Sequence, residues 1–221
     1  MTETGPAAAP AALVDCMRRV TAAGLTQGSS GNASSRTARG MRITPTGLPP
    51  ERMGPEDTVE VDLSGRVLAG ALRPSSEWPM HAAIYRARPE AQAIVHCHSR
   101  HATALACCGR DIPAFHYMVA VAGGDSIRCA PYALFGSAAL AEHAVSALHG
   151  RRACLLGNHG QIALGETLEA ALALAIEVEE LAAQYGAALA IGEPRLLDDA
   201  QMREVIERFA GYGQAQRRDQ P

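Results

Sequence analysis

Three histidines stand where apolar segments of the chain end, and their spacing could bind a metal ion. His96 and His98 belong to Ile94-Val95-His96-Cys97-His98, and His159 follows the apolar residues 153–156. Alternate residues of a β-strand point to the same face, so the imidazoles of His96 and His98 are expected to project side by side. Three histidine ligands would leave a fourth coordination position open, as in catalytic zinc sites. An H-x-H pair also occurs on ordinary strands, so the surrounding residues must decide.

A carboxylate and two serines form a second group with chemical potential. Ser75-Ser76-Glu77-Trp78-Pro79 has the serine, acidic residue and proline that are typical of a helix start, and it predicts a helix with a serine cap. A helix N-terminus binds anions, so Ser75 and Ser76 could bind a phosphate. Glu77 either complements the helix dipole or acts beside the metal as a ligand or proton carrier. One turn later, His81 is expected to form structural hydrogen bonds.

Two glycine-containing turns could present backbone N–H groups to the same anion. Residues 27–34 and 44–47 combine glycine with small hydroxyl and amide side chains, which suits an anion nest but also an ordinary turn. The chain has no lysine, so all 20 of its basic residues are arginine. Schiff-base catalysis, pyridoxal-phosphate attachment and a Walker-type loop are therefore excluded. Carbonyl chemistry would have to use a metal, and a phosphate would have to be bound by N–H groups, hydroxyls or arginine.

Composition indicates one globular domain of ordinary charge. The chain has 221 residues, 48% hydrophobic content and a net charge of −3, which predicts a single domain over 1–221 with loose tails at 1–7 and 214–221. It gives no general attraction for nucleic acid or an anionic membrane. The N-terminal residues do not resemble a signal peptide, and the six cysteines form no C-x-x-C pair. We therefore expect free thiols and a cytoplasmic location.

Strand and helix patterns alternate along the chain. Apolar alternation predicts a hairpin at 58–68 and a central strand at 91–98. Helical spacing predicts an opening helix at 8–23 and helices at 100–107 and 137–148. Capping residues add a long helix from Thr167 to about Gly192 and a last helix from Asp198 or Asp199. Strands with helices between them favour a three-layer α/β/α sandwich.

The candidate groups converge on one type of reaction. A bound divalent ion can polarise a ketone and stabilise the enediolate that remains when the neighbouring C–C bond breaks. Turns suited to a phosphate, a carboxylate able to move a proton and the absence of lysine all fit such a site. The residues therefore predict carbonyl-lyase chemistry on a phosphorylated sugar.

Seven motifs together resemble those of the class II aldolase/adducin family. They occur in the family's order over about residues 13 to 213, and they are S-G-N-A-S (30–34), T-P-T-G (44–47), S-S-E-W-P-M-H (75–81), H-C-H (96–98), H-Y-M (116–118), C-A-P-Y-A-L-F-G (129–136) and N-H-G (158–160). The resemblance implies an α/β/α sandwich around a mixed, largely antiparallel sheet. It also implies a zinc-dependent homotetramer that cleaves a ketose 1-phosphate similar to L-fuculose 1-phosphate into dihydroxyacetone phosphate and an aldehyde.

The resemblance also assigns roles to single residues. The implied zinc ligands are His96, His98, His159 and Glu77. Glu77 is a ligand in the resting enzyme that the substrate displaces, and it then acts as a base or acid. Co²⁺, Mn²⁺ or Ni²⁺ could replace Zn²⁺. The implied phosphate-binding residues are Gly31, Asn32, Thr46, Gly47, Ser75 and Ser76.

Three aromatic residues are implied to surround the aldehyde half of the substrate. Tyr117 matches a tyrosine that reaches in from a neighbouring subunit and protonates the aldehyde-side oxygen. Tyr212 matches a C-terminal tyrosine that closes over the site, and Phe135 matches an apolar wall of the aldehyde pocket. The resemblance therefore implies active sites shared between subunits.

Other activities remain open on the same scaffold. A salvage aldolase acting on 5-deoxyribulose 1-phosphate or 5-methylthioribulose 1-phosphate would need the same metal and phosphate sites with a different aldehyde pocket. A dehydratase or an epimerase of the same fold is a further alternative, although the H-Y-M segment favours the aldolases. A binding module without catalysis, as in adducin heads, is disfavoured by the three histidines together with Glu77.

Overall fold

The computed structural model describes residues 9–211, which form an eight-stranded sheet with six α-helices. The strands are β1 (Asn32–Thr37), β2 (Gly40–Ile43), β3 (Val59–Val61), β4 (Val67–Ala69), β5 (Ala93–Cys97), β6 (Cys129–Ala130), β7 (Ala153–Leu156) and β8 (Gly160–Gly165). The helices are α1 (Pro10–Ala22), α2 (Trp78–Ala87), α3 (Arg100–Cys107), α4 (Ala138–Ala147), α5 (Leu168–Ile191) and α6 (Asp199–Gly211). Short 3₁₀ helices are formed by Pro50–Arg52, Pro55–Asp57 and Tyr117–Ala122.

The sheet has the order β4-β3-β2-β1-β5-β8-β7-β6. Every neighbouring pair is antiparallel except β6 and β7, which are parallel. The mixed, largely antiparallel sheet is therefore confirmed. Strand β5, which carries His96, lies inside the sheet between β1 and β8, and the β7–β8 hairpin that carries His159 is its neighbour.

Helices cover both faces of the sheet, which confirms the three-layer sandwich. Helices α1, α3 and α5 bury one apolar cluster against one face, and α2 and α4 bury a second cluster against the other. Alternation along β5 sends Ile94 to the second cluster and Val95 and Cys97 to the first. Cys97 therefore points away from the side on which His96 lies, as expected for a residue that is not a metal ligand.

Most predicted elements are present with small shifts of their ends. The side chain of Thr167 caps α5 as predicted, that of Ser137 caps α4, and Asp198 accepts hydrogen bonds from N–H groups at the start of α6. The predicted tails, 1–7 and 214–221, lie outside the described residues. Within residues 9–211, no helix is both long enough and apolar enough to cross a bilayer.

The predicted serine cap of α2 is wrong. Glu77 occupies the N-cap position, and no side chain caps this helix. Ser75 instead closes a turn before the helix, because its carbonyl accepts the N–H of Trp78 at 3.0 Å and its hydroxyl accepts the N–H of Glu77 at 3.3 Å. The turn directs the carboxylate of Glu77 away from the helix N–H groups and toward the histidines.

The central packing predicts unequal effects of the same truncation at two leucines. Leu155 on β7 is fully buried, whereas Leu196 is 57% exposed. Leu155→Ala should lower the free energy of unfolding by about 2 to 5 kcal/mol, because it leaves a cavity. Leu196→Ala should change it by about 0.5 kcal/mol or less. Urea unfolding of the metal-free proteins measures both, and equal losses would contradict the placement of Leu155 in the core.

Candidate active site

Three imidazoles and one carboxylate meet in the centre of the molecule. The ligand atoms of Glu77, His96, His98 and His159 all lie within 4.8 Å of one another. His96 Nε2 is 3.0 Å from His98 Nε2 and 3.0 Å from Glu77 Oε2, and His159 Nε2 is 3.2 Å from Glu77 Oε1. Among the described residues this is the one group of histidine, cysteine and acidic side chains arranged to bind a metal ion.

Three separate segments bring these four ligands together. His96 lies on β5, and His98 follows the last residue of that strand. His159 lies in the tight turn between β7 and β8, where its N–H donates to the carbonyl of Leu156 at 3.0 Å. The residue before it, Asn158, has a φ of 53°, the left-handed conformation that asparagine tolerates better than most residues. Glu77 comes from the turn before α2.

Three of the distances between donor atoms are close to the spacing of ligands around a tetrahedral metal ion. Zinc ligands lie about 2.0 to 2.1 Å from the ion, so the corners of the tetrahedron are about 3.3 Å apart. The three distances of 3.0 to 3.2 Å are close to this value. Glu77 Oε1 is buried and has no hydrogen-bond partner among residues 9–211, as expected for an oxygen that faces a cation. The donor set of three nitrogens and one oxygen suits zinc.

The hydrogen bond of His96 fixes which nitrogen can bind a metal. His96 Nδ1 lies 2.8 Å from the backbone carbonyl oxygen of Gln161. A carbonyl can only accept, so Nδ1 carries the proton and the lone pair of Nε2 faces the other ligands. Gln161 is itself fixed, because its side-chain amide donates to Ser99 Oγ and to the carbonyl of Ala175.

Burial and neighbouring charges set the pKa of each ligand in the absence of a metal. Burial alone would raise the pKa of Glu77, but His96, His159 and the amide of Asn32 hold it well below its usual range. Burial, together with the charge of His96, lowers the pKa values of His98 and His159 to about 4. Burial likewise disfavours protonation of His96, but Glu77 raises its pKa above the ordinary value. The positive charge that His96 holds against Glu77 is therefore one that a bound cation would replace.

The ligands open into a cavity of about 350 Å³. Its lining includes nearly all of the residues that the sequence assigns to substrate and metal, namely Gly31, Asn32, Thr46, Gly47, Ser75, Ser76, Glu77, His98, Phe135 and His159. His96 lies behind them and is fully buried. The structure therefore brings the metal candidates, the three predicted phosphate turns and Phe135 to one place.

Glycine is required where the first turn approaches the metal ligands. Gly31 has a φ of +75°, and a Cβ atom at this position would lie 2.8 Å from the carbonyl oxygen of His96. Only glycine allows the 27–34 turn to approach β5 this closely. The next residue, Asn32, donates its side-chain N–H to Glu77 Oε2 at 2.9 Å. The turn that is predicted to bind the phosphate thus also contacts the carboxylate.

The sequence analysis missed six residues that line the cavity. These are Ser29, Ser30, Pro45, Tyr132, Ala133 and Asn158. Each lies in a motif already identified beside a predicted residue, so the signal was present in the chain. The sequence carries no signal for the size of the cavity, because the size depends on how the separate turns meet.

Two predicted tyrosines do not line this cavity within one chain. Tyr117 is half-exposed at the start of the 3₁₀ helix Tyr117–Ala122, and its ring stacks on that of Phe209 from α6 with centroids 6.4 Å apart. The role of Tyr117 in the site of a neighbouring subunit stays a prediction. Tyr212 lies outside the described residues.

Comparison with known proteins assigns the chain to a family. Residues 11–185 match the class II aldolase and adducin N-terminal domain, so the chain belongs to the class II aldolase/adducin family. It is 51% identical to a 5-methylthioribulose-1-phosphate/5-deoxyribulose-1-phosphate aldolase of Rhodospirillum rubrum, over 91% of this chain and 90% of that protein. It is 48% identical to an L-fuculose phosphate aldolase of Escherichia coli K12, over 91% of this chain and 94% of that protein.

A solved structure extends the likeness to three dimensions. The fold superposes on that of an L-fuculose 1-phosphate aldolase with a TM-score of 0.89 and 39% identity, covering 91% of this chain and 96% of the other. The predicted family, sandwich fold and aldehyde-lyase class are therefore confirmed. Both predicted kinds of aldolase occur among these relatives.

Removal of one ligand should remove the metal. His96→Ala should abolish stoichiometric metal binding, because the three remaining ligand atoms no longer enclose the ion. His149→Ala is the matched control, since His149 is exposed and lies outside the site. Elemental analysis after dialysis against zinc measures both proteins. Full zinc occupancy of His96→Ala would contradict the ligand role of His96.

Proposed function

We propose that the protein uses a divalent metal ion to cleave a ketose 1-phosphate reversibly into dihydroxyacetone phosphate and an aldehyde. One observation carries the proposal: Glu77, His98 and His159 line the same cavity as three turns suited to a phosphate. A metal and a phosphate site within one small cavity select a phosphorylated substrate whose carbonyl is near the metal. The names of the relatives support the same substrate class.

Cleavage requires that electrons and protons move in a defined order. The hydroxyl on the aldehyde side loses its proton, the adjacent C–C bond breaks, and the electron pair moves toward the ketone. His96, His98 and His159 would hold a divalent ion beside the ketone, and such an ion would supply the Lewis acidity that withdraws electrons from the carbonyl. Glu77 then delivers a proton to the carbinol carbon, which completes dihydroxyacetone phosphate. The low pKa of Glu77 keeps it ionised at the start, so the proton that it delivers is the one released by the aldehyde-side hydroxyl, passed on through Tyr117 and solvent, and no net proton is gained or lost.

The phosphate would be bound without a cationic side chain. No arginine occurs among the described residues that line the cavity. Gly31 and Gly47 have φ values of +75° and +71°, which allow backbone N–H groups to converge on an anion. Thr46, Ser75 and Ser76 add hydroxyl donors, and the last two precede α2, whose N-terminus favours negative charge.

The active site is proposed to be completed by a second copy of the chain. Tyr117 and Phe209 form an aromatic pair away from the cavity of their own chain. A neighbouring subunit would supply Tyr117 to remove or return the proton of the aldehyde-side oxygen. A homotetramer with shared sites meets this requirement. The proposal places Tyr212 over the same site.

The aldehyde half of the substrate distinguishes two candidates. Phe135 and Tyr132 line the cavity and are 61% exposed, so an apolar wall faces the end of the substrate that is remote from the phosphate. This wall suits the methyl group of an L-fuculose 1-phosphate-like ketose. It also suits the methyl or methylthio end of 5-deoxyribulose or 5-methylthioribulose 1-phosphate. The relative at 51% identity, a salvage aldolase, favours the second candidate as a serious alternative.

The metal and the compartment complete the proposal. Zinc fits the donor set, and Co²⁺, Mn²⁺ or Ni²⁺ could replace it. All six cysteines are free thiols, and Cys16, Cys97 and Cys154 are buried, which supports the reducing cytoplasm as the location.

A coupled assay for dihydroxyacetone phosphate tests the proposed reaction. The substrates are L-fuculose 1-phosphate, 5-deoxyribulose 1-phosphate and 5-methylthioribulose 1-phosphate, each with and without chelator. We expect release that chelator abolishes and added zinc restores, and the ranking of kcat/KM identifies the aldehyde. Absence of release from metal-loaded protein with all three substrates would contradict the aldolase and favour the dehydratase or epimerase.

Glu77→Gln separates binding from proton transfer. The amide keeps the shape of the carboxylate but cannot collect a proton, so exchange of the carbinol proton of dihydroxyacetone phosphate with solvent should slow by about 100-fold or more. The KM for dihydroxyacetone phosphate should change little. Nuclear magnetic resonance in deuterated water follows the exchange. Exchange at the wild-type rate, with metal bound, would exclude Glu77 as the proton carrier.

Mixed oligomers test whether sites are shared between subunits. Tyr117→Phe and Glu77→Gln chains should each have little activity alone. After mixing and reassembly, a site with Glu77 from one chain and Tyr117 from the other regains both groups, so activity should return. If both groups came from one chain, no mixed site would be complete and activity would stay low. Tyr132→Phe mixed with Glu77→Gln controls for dilution, because Tyr132 lines the cavity of its own chain.

A further inference from the structure

Alternate residues of β1 contact every fourth residue of the segment that begins at Glu77, and we call this set the polar ladder. It consists of Asn32, Ser34 and Arg36 on the strand and Glu77, His81 and Tyr85 on the helical side. Asn32 donates to Glu77, and Ser34 Oγ is hydrogen-bonded to His81 Nδ1 at 2.7 Å and to the Tyr85 hydroxyl at 2.9 Å.

The far end of the ladder closes the C-terminus of α2. Arg36 donates through Nη2 to the carbonyls of Tyr85 and Arg88 at 2.8 and 3.0 Å, and through Nε to the carbonyl of Ala91 at 2.9 Å. Its guanidinium also lies 4.6 Å from the centre of the Tyr85 ring. A cation at this end complements the helix dipole. Hydrogen bonds therefore join β1 and α2 along the whole length of the helix.

The repeat distances of strand and helix match. Two strand residues span about 6.6 Å, and four helix residues span about 6 Å. Because the two elements run in the same direction, each step along β1 meets the next turn of α2. A shift of the helix by one residue would separate every pair at once. The ladder thus sets the axial position of α2.

The buried residues in the middle of the ladder restrict the axial position of α2 most strongly. Ser34 and His81 are fully buried, and Tyr85 is 1% exposed. A buried polar group that loses its partner pays the cost of desolvation without compensation. Burial lowers the pKa of His81 to about 3, so its ring is neutral and Nδ1 can share one proton with Ser34. A shift of α2 along β1 would break the hydrogen bonds of Ser34 to His81 and Tyr85 in this buried environment.

The near end of the ladder lies at the metal ligands. Asn32 pairs with His96 across β1 and β5, so the first rung stands beside the metal candidate on the neighbouring strand. Glu77 Oε2 is 2.9 Å from Asn32 Nδ2 and 3.0 Å from His96 Nε2. The axial position of α2 therefore decides whether the carboxylate reaches the histidines.

We propose that Ser34 and His81 are positioning residues whose hydrogen bond fixes α2 along β1 and thereby places Glu77 against His96 and His159. Within the part of the chain that the structure describes, neither residue lines the cavity or forms a hydrogen bond with a metal-ligand atom. The inference rests on the proposed function only for the catalytic consequence, since Glu77 is there the proton carrier. The expected effect on metal affinity does not depend on the proposed function.

Ser34→Ala and Ser35→Ala form a matched test. Ser35 is also buried on β1 but faces the other side of the strand, and its hydroxyl has no hydrogen-bond partner among the described residues. In Ser34→Ala, we expect zinc affinity to fall about tenfold and kcat to fall about tenfold, with an unchanged KM for the ketose phosphate. Ser35→Ala should stay within about twofold of wild type in zinc affinity, kcat and KM. Zinc affinity is measured by competition with a chromophoric chelator, without substrate.

Two outcomes overturn the proposal. One is equal zinc affinity and kcat in the two serine variants. The other is a rise of KM in Ser34→Ala in proportion to the fall of kcat, which would indicate general loosening of the site. If wild-type protein releases no dihydroxyacetone phosphate, the proposed function fails, yet the zinc comparison still decides the role of the ladder.

His81 and Tyr85 provide the second set of variants, which keeps the test decisive if Ser34→Ala does not fold. His81→Asn retains an amide near the position of Nδ1 and should keep zinc affinity within about threefold of wild type, whereas His81→Leu should lose at least about tenfold. Tyr85→Phe removes only the distal hydroxyl and should shift zinc affinity in the same direction by a smaller factor. Equal zinc affinities in His81→Asn and His81→Leu would overturn the role of His81.

Discussion

A buried carboxylate surrounded by three imidazoles is the constraint on which this structure depends. Removing Glu77 from water is costly, and the cost is offset only because imidazoles and the amide of Asn32 face it. Each surrounding element has to bring one polar group to this point without leaving another unpaired. The metal ion that the family and the geometry imply is the natural partner for a carboxylate and three nitrogens in so small a volume.

The topology of the sheet follows from the same requirement. Strand β5 lies between β1 and β8, so the two strands that flank the metal ligands also carry the turns that approach the substrate. The glycine at position 31 lets the first turn pass close to His96, and the tight turn after β7 returns His159 to the same point. The turn before α2 contributes both Glu77 and the two serines that line the cavity. The metal candidates and the cavity lining are therefore positioned by one strand arrangement.

The sequence predicts the chemistry of the site better than its geometry. Alternation along the strand is enough to place His96 and His98 together and to turn Cys97 away, because the period of a strand is fixed by its backbone. The local pattern is typical of a serine cap on α2, but Ser75 closes the turn before the helix. Glu77 therefore takes the cap position, and its carboxylate faces the histidines. The partnership of Ser34 with His81 has no local signal, because it depends on how a helix lies along a distant strand. For the same reason the sequence alone cannot show that Tyr117 lies away from the cavity of its own chain.

X-ray absorption at the zinc edge tests directly whether three imidazoles and the carboxylate of Glu77 bind the metal. In the resting protein, we expect three imidazole nitrogens and one carboxylate oxygen about 2.0 to 2.2 Å from the metal. After addition of dihydroxyacetone phosphate, the three nitrogens should remain while substrate oxygens replace the carboxylate. Sulfur in the first coordination sphere, or fewer than three imidazoles, would contradict the site. An unchanged spectrum with dihydroxyacetone phosphate bound would contradict displacement of Glu77 by substrate.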